Sequence, residues 1–475
     1  MKKLLITINL LILLCVSSCI EDGFTTSSSD VLEFSSDTIS FDTVFTDETT
    51  PQKRFLIYNR HKKQLNIESM TITSRYEGAK FYFNVDGRSG EEFHNIELRG
   101  EDSIYVFVKV RIDANEKNPP FDVYGDLSCI TNGVKQDVVL FAAGQNAVNI
   151  KDMHITKDTE FDTQRPYRIM DSLVVEKGAT LTIPAGTNLY FHDKAKMKVE
   201  GTLKALGSKD NFIHMRADRL DKVVGGIPFE LMASQWDGVF IGKESFDNEM
   251  HYVNMRGTSS GLVADSCGNL EQRKLHLFNS ILHNSSTSVL NAKHVWIDAE
   301  GCEFSDSHFG VVDLTGGIFN FKNCTFANYY LFDAITHPIL YINYVLPDDK
   351  QNAPLMSARF DNSIIFGNAS SISIGDLTGS DVLLRYCLMR EKGEDDDNFQ
   401  NCVWGADPHF YTVREEYIFD YRVKDKSDAR GKGSKELTPE NARYDIFGLD
   451  RMANDSIEIG AYVWTPEPKK EEEKK

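Results

Sequence analysis

The chain has 475 residues, room for two or three domains, and its 71 Asp and Glu against 52 Lys and Arg give a net charge of −19. That balance excludes nucleic acid and an anionic membrane surface as partners, because both demand basic patches. It leaves an acidic exterior that attracts cations.

The chain opens on Met1-Lys2-Lys3, a short basic stretch, and then an apolar run from Leu4 to Leu14. The run is too short to span a bilayer as a mature helix and has the form of an export leader. Val16-Ser17-Ser18-Cys19 follows, and it resembles a bacterial lipobox. The resemblance implies that residues 1–18 are a signal peptide and that Cys19 is acylated, palmitate included, so the membrane is a partner through lipid. Several acyl chains anchor stably where one binds only marginally. Ile20-Glu21-Asp22 resembles the acidic export signal of surface-exposed lipoproteins in Bacteroidetes-type organisms. This implies an outer-membrane lipoprotein displayed at the cell surface. Residues 19–30 are rich in Ser and Thr and read as a flexible tether.

Residues 31–148 carry strand signals at Arg54–Asn59, Leu65–Ser74, Phe81–Val85, Ser103–Ile112, Val123–Thr131 and Lys135–Ala143. Asp86-Gly87, Asn118-Pro119-Pro120 and Asn132-Gly133 separate them as turns. Several short strands in this length predict a β-sandwich. The phrases Phe41-Asp42-Thr43-Val44-Phe45, Phe55-Leu56-Ile57-Tyr58-Asn59 and Ala143-Gly144-Gln145-Asn146-Ala147 resemble immunoglobulin-like modules that precede larger extracellular domains.

Residues 149–464 repeat. Asn279-Ser280-Ile281-Leu282, Gly301-Cys302-Glu303-Phe304 and Asn323-Cys324-Thr325-Phe326 succeed one another at 22 residues. The phrase returns at Asn362-Ser363, Tyr386-Cys387 and Asn401-Cys402. Apolar residues alternate within each repeat, and their parity shifts between Ala299 and Cys302 and between Phe321 and Cys324. Short strands joined by bends and stacked about 4.8 Å apart form a parallel β-helix, in which each repeat buries its apolar side on its neighbours. The Ser/Cys position is an inward rung, and Leu282, Phe304, Phe326 and Ile365 form an apolar ladder beside it. Asn284, Asp306 and Asn328 suit a repeated turn. Residues 327–360 break the wording, either as a drifted coil or as an extended loop. The run Asp171–Thr187 with Val199–Ser208 resembles the first coils of bacterial right-handed β-helices of the pectate-lyase-like kind. Tyr444–Arg451 with Ile459-Gly460-Ala461-Tyr462 resembles their closing segment, which implies a cover for the open last coil. Residues 465–475 read as a disordered charged tail. The expected fold is all-β: an immunoglobulin-like sandwich, then a right-handed parallel β-helix.

Chemistry is thinner. Cys129, Cys267, Cys302, Cys324, Cys387 and Cys402 read as mostly free buried thiols, because the last four share a rung with Ser280 and Ser363; adjacent coils also bring Cys302 and Cys324 within disulfide range. Asp395, Asp396 and Asp397 lie in the densest acidic run and are the candidate Ca²⁺ ligands, although the run lacks the Gly-centred spacing of a calcium loop. Consecutive acids also form solvated loops. Asp298 with Glu300, and Asp306 with Asp313, are candidate carboxylate pairs. His251, His276, His283, His294 and His308 have no helical metal-ligand spacing. Arg216-Ala217-Asp218-Arg219 reads as a cap on an early coil or a carboxylate clamp. Tyr329, Tyr330, Tyr341 and Tyr344 are candidates for stacking on glycans, or for core packing. No coherent catalytic set emerges. The expectation is a non-catalytic, lipid-anchored surface protein that binds a glycan or an outer-membrane protein, or serves as a scaffold. The alternative is a lyase or glycoside hydrolase acting on an acidic polysaccharide.

Overall fold

The computed structural model describes residues 23–466 except 224–225, 268, 344–354 and 375–379. The leader, Cys19 and residues 467–475 lie outside the described residues. The chain divides into two units, Met1–Asn146 and Ala147–Lys475.

The first unit holds two five-stranded sheets. One orders Glu33–Phe34, Lys53–Tyr58, Ser103–Ile112, Ala79–Val85 and Arg88–Gly90, all antiparallel. The other orders Thr38–Phe45, Val134–Gln145, Phe121–Thr131, Leu65–Ser74 and Glu92–Leu98. There the first pair runs parallel and the rest antiparallel. Each strand alternates, and the inward sets Phe55, Ile57, Val106, Val108 and Ile67, Leu127, Val138, Leu140 share one core. Asn132 (φ 51°) and Gly133 (φ 73°) make the tight turn between Phe121–Thr131 and Val134–Gln145, the geometry that Asn-Gly favours.

The second unit is a parallel, β-helix-like solenoid. A first face is a ladder of ten parallel strands, from Val148–Ile150 to Leu388–Met389. A seventeen-stranded sheet bends into a second and a third face, and the long strands Leu290–Glu300 and Val312–Lys322 belong to both. Leu189, Met215, Met255, Leu282, Phe304, Phe326, Ile365 and Met389 stack in register as one inward row of the first face. The Phe304 and Phe326 rings stack at 5.2 Å. The Ser/Cys rung is also inward. Ser280 and Ser363 donate to the carbonyls of Phe278 (3.0 Å) and Asp361 (2.9 Å), and Cys302 and Cys324 donate to Glu300 (3.3 Å) and Lys322 (3.4 Å). Ser and Cys interchange here because each is small and each can bond the carbonyl two residues back. All six described cysteines are free, and burial pushes the Cys324 thiol up to about 12.

The recurring phrase opens on a left-handed residue that turns the third face into the first: Asn279, Gly301, Asn323, Asn362, Tyr386 and Asn401 have φ between 44° and 64°. Asn tolerates this conformation through local polar bonds. At Gly301 a Cβ would also meet Asn279 Oδ1 at 2.2 Å, which is why this coil has glycine there. Asn284 and Asp306 adopt φ of 62° and 53° at the next corner. The break in wording is a full coil: Thr325 pairs with Ile364, 39 residues on, and Leu340–Asn343 continues the second face.

Two corrections concern the C-terminal end. Residues 444–462 do not sit over the last coil. They run back along the outer side of the first face, where Asn279 donates to Tyr444 O (3.2 Å), Ala461 N to Thr325 Oγ1 (3.0 Å) and Gly460 N to Asn362 O (2.8 Å). This strap, with residues 406–429, makes a second core against Ala327, Ile364, Phe366 and Leu388. The physical reason lies in the first face itself, whose outward residues there include Ala327, Ile364, Phe366 and Leu388, which need cover. The last coil is instead ended by residues 395–404. Asp395 accepts from Asn401 N (2.6 Å), Cys402 N (3.2 Å) and Trp404 Nε1 (3.1 Å), and Phe399, Cys402 and Trp404 pack against the main core.

Candidate functional site

The outward residues of the first face change character along the ladder. Where the strap covers them they are Ala327 and Phe366; in earlier coils the same row reads Tyr190 and Arg216, then Arg256, His283 and Ser305. The short helical turn Phe229–Leu231 and residues 417–422, from the segment packed with the strap, line this row. Between them lies a cleft of about 340 Å³. Arg256, His283 and Glu303 form its floor, Glu230 one wall, and Tyr417, Phe419, Asp420, Arg422 and Phe447 the other.

Each carboxylate of the cleft has a protein partner. Arg216 bonds Glu230 at 3.0 Å, and Arg256 lies 3.9 Å from the same carboxylate. Asp420 and Arg422 pair with each other at 2.6 Å. Glu303 is buried, and its two oxygens accept from Ser305 Oγ (2.6 Å) and Tyr462 Oη. Burial raises its pKa, against the pull of those two bonds. Asp306 accepts from Tyr421 Oη (2.5 Å) and Tyr329 N (2.7 Å), and burial pushes it up to about 7. His283 Nδ1 lies 2.9 Å from Ser305 Oγ; burial, then Arg256, drives its pKa well below the usual value. Ser305 is no nucleophile, because it has no exposed surface and its proton is committed to Glu303.

The pH dependence follows. Between an unfolded value of 3.8 and a folded value of about 7, native Asp306 holds a proton that the unfolded chain lacks. Stability therefore falls as pH rises through that window and levels off above it. We expect Asp306→Asn, which keeps the left-handed tolerance of the site, to gain on the natural protein as pH rises from about 4 to about 7. Paired thermal melts across pH check this, and a gain in the opposite direction would mean that the strap holds the ionised form.

The structure does not gather Asp395, Asp396 and Asp397 into a cation site. Asp395 holds the terminal turn, and Asp396 Oδ1 accepts from Asn398 N (2.7 Å) and Phe399 N (3.0 Å). Among the described residues no three His, Cys, Asp or Glu side chains are placed to hold a metal. Asp298 and Glu300 face outward on the third face, paired with Arg273 (3.0 Å) and His276 (2.5 Å). Asp306 and Asp313 lie on different faces, so they form no pair. Arg216 reaches the short helical turn through Glu230, and Asp218 accepts from Arg168 of an earlier coil at 2.7 Å. Tyr329 packs on Tyr421 in the second core, Tyr330 stacks on His308, Tyr341 reaches the second face, and Tyr344 lies outside the described residues. Glu230, Arg256, Asp420 and Arg422 were not legible as a site. They come from separate segments, and only the outward row of the repeat, continued back to Arg256, could have flagged one of them.

The sequence matches no protein-family description and no curated protein. Solved structures give slight likenesses. A family 123 glycoside hydrolase from Clostridium perfringens aligns over 24% of this chain and 26% of its own, at 9% identity and a TM-score of 0.17. The E. coli chaperone DraB aligns over 26% of this chain and 57% of its own, at 10% identity and 0.18. The secreted serine protease VesC from Vibrio cholerae aligns over 25% and 24%, at 10% identity and 0.18. Likenesses this slight identify neither a family nor an activity.

Proposed function

We propose that the protein is a lipid-anchored β-helix protein of the cell surface that binds a glycan or protein partner without turning it over. In this reading Cys19 carries the lipid, the N-terminal unit is an immunoglobulin-like spacer, and the solenoid is right-handed and presents the binding surface. The observation that carries the non-catalytic part is the cleft. Each of its carboxylates already serves a protein donor, so none is poised to take or give a proton to a substrate. A second reading, an enzyme acting on an acidic polysaccharide, draws on one observation: Glu230, Glu303 and Arg256 line the same cleft.

The test is the full chain, purified in detergent, on a broad panel of glycans and outer-membrane extracts, with and without a chelator. Retention without products is the expected result. Product formation that Glu303→Gln abolishes would replace the first reading with the second. Neither retention nor products on any glycan or extract would sink both.

A further inference from the structure

The three faces treat their outward polar residues differently. The strap covers the later coils of the first face. On the third face outward charges are paired across coils: Lys204 with Glu249 at 2.8 Å, Arg273 with Asp298 at 3.0 Å and Arg385 with Asp361 at 2.7 Å. The early coils of the second face follow the same pattern, Lys196 pairing with Asp237 at 3.3 Å, and its later coils break it. Asn291, Asp313, Tyr341 and Ser373 stand in register on consecutive coils, about 4.8 Å apart and half-buried. None of these four side chains has a hydrogen-bond or ion-pair partner among the described residues.

A wall stands beside the file. Phe309, 39% exposed, stacks on His337 with ring centroids 3.4 Å apart. Phe309, His337, Pro338, Asp313 and Tyr341 line a pocket of about 320 Å³. Burial raises the Asp313 carboxyl, eased by Lys293 and His337, neither of which bonds it. Amide, carboxyl and phenol groups that bond no described neighbour, beside an open ring, leave their hydrogen-bonding capacity to water or to a ligand.

We infer that the second face is a saccharide site, with the apolar side of a sugar ring on the Phe309–His337 wall and its hydroxyls on Asp313, Asn291 and the Tyr341 phenol. This deepens the binding reading above and rests on it, and it moves the ligand away from the charged cleft. The ligand is uncharged. A polyanion would set its charge against Asp313, in a chain of net charge −19, and the nearby Lys293 and His337 do not bond that carboxyl. Aromatic faces hold apolar surface while planar polar groups fix orientation, the usual division of labour in a small-ligand site. Successive coils offer one polar group each, so the sugar chain lies along the solenoid axis.

The experiment is calorimetric titration of the full chain in detergent with cellohexaose, mannohexaose and xylohexaose, and with hexagalacturonate and hexalysine as charged controls. At least one neutral hexasaccharide binds. Phe309→Ala and Asp313→Asn each weaken it by about tenfold or more, the scale of one lost hydrogen bond or ring contact. Tyr341→Phe, which removes only a hydroxyl, weakens it less and guards against misfolding, with thermal melts as the control. Glu249→Gln, on the third face, leaves binding unchanged. A glycan lost in Glu230→Gln and kept in Asp313→Asn would overturn this site and leave the binding reading standing. Preference for hexagalacturonate or hexalysine would overturn the ligand class, as would retention of protein partners alone.

Discussion

Arg451→Met is expected to release the strap before the solenoid unfolds. Arg451 is buried and donates to three carbonyls, Ala442 (3.1 Å), Gly460 (3.1 Å) and Ala461 (2.6 Å). Methionine fills much of the volume and none of the bonds. Buried acceptors left unpaired cost about 1–3 kcal/mol each and do not add fully, so a loss of about 3–5 kcal/mol is expected. The damage is local because Arg451 organises the strap itself. Beside it, Asp445 accepts from the amides of Phe447 (2.9 Å), Leu449 (2.8 Å) and Val463 (2.9 Å), tying both ends of the same knot. Limited proteolysis read by mass spectrometry checks the result. Cuts should appear within residues 430–464 at protease levels that leave the coils whole. Simultaneous cutting of coils and strap would show that the two open together.

Lys274→Met is expected to cost as much, at the opposite side of the coil. Lys274 has no exposed surface, and its ammonium donates to the carbonyls of Gly242 (2.5 Å), Lys243 (3.1 Å) and Ser245 (3.0 Å) beneath the Phe246 ring. One cation holds a corner that no strand pairing holds. Asn248 completes it, accepting from Leu203 N at 2.8 Å and donating to Ser245 Oγ at 2.9 Å. Removing the ammonium strands three carbonyls, again about 3–5 kcal/mol. Chemical denaturation checks the magnitude, and Lys274→Arg separates charge from shape: a full rescue would show that the position needs only a cation. A loss below about 1 kcal/mol in Lys274→Met would mean that water replaces the ammonium.

The fold was legible where one rule repeats. Period-two alternation marked the strands, and the interval of 22 residues marked the stacking, because both follow from backbone geometry that each coil obeys alike. Asn284 and Asp306 were readable as turns for the same reason. The strap was misread because its phrases, Tyr444 to Arg451 and Ile459 to Tyr462, resemble a closing element and say nothing of where they dock. That depends on outward residues such as Ala327 and Ile364, whose need for cover shows only once the faces are assigned. The acidic run is legible only by its charge, while Asp395 and Asp396 are spent on the Asn401, Cys402 and Phe399 amides. The cleft was illegible because its residues share no interval. The second-face file was half legible: Asp313 and Tyr341 were both noted, for separate reasons, but their register crosses the irregular coil that hides the repeat.

The strap changes how the solenoid can come apart. A stack of repeats is ordinarily a one-dimensional chain of neighbours, in which the end unit frays first and fraying propagates. Here the final polypeptide doubles back, so Tyr444 rests on the coil of Asn279 and Gly460 on the coil of Asn362. Peeling the last coil alone would pull on a segment fastened several coils upstream. The rungs between are thereby clasped into one cooperative block, and melting should resemble a latch giving way more than a zipper running open.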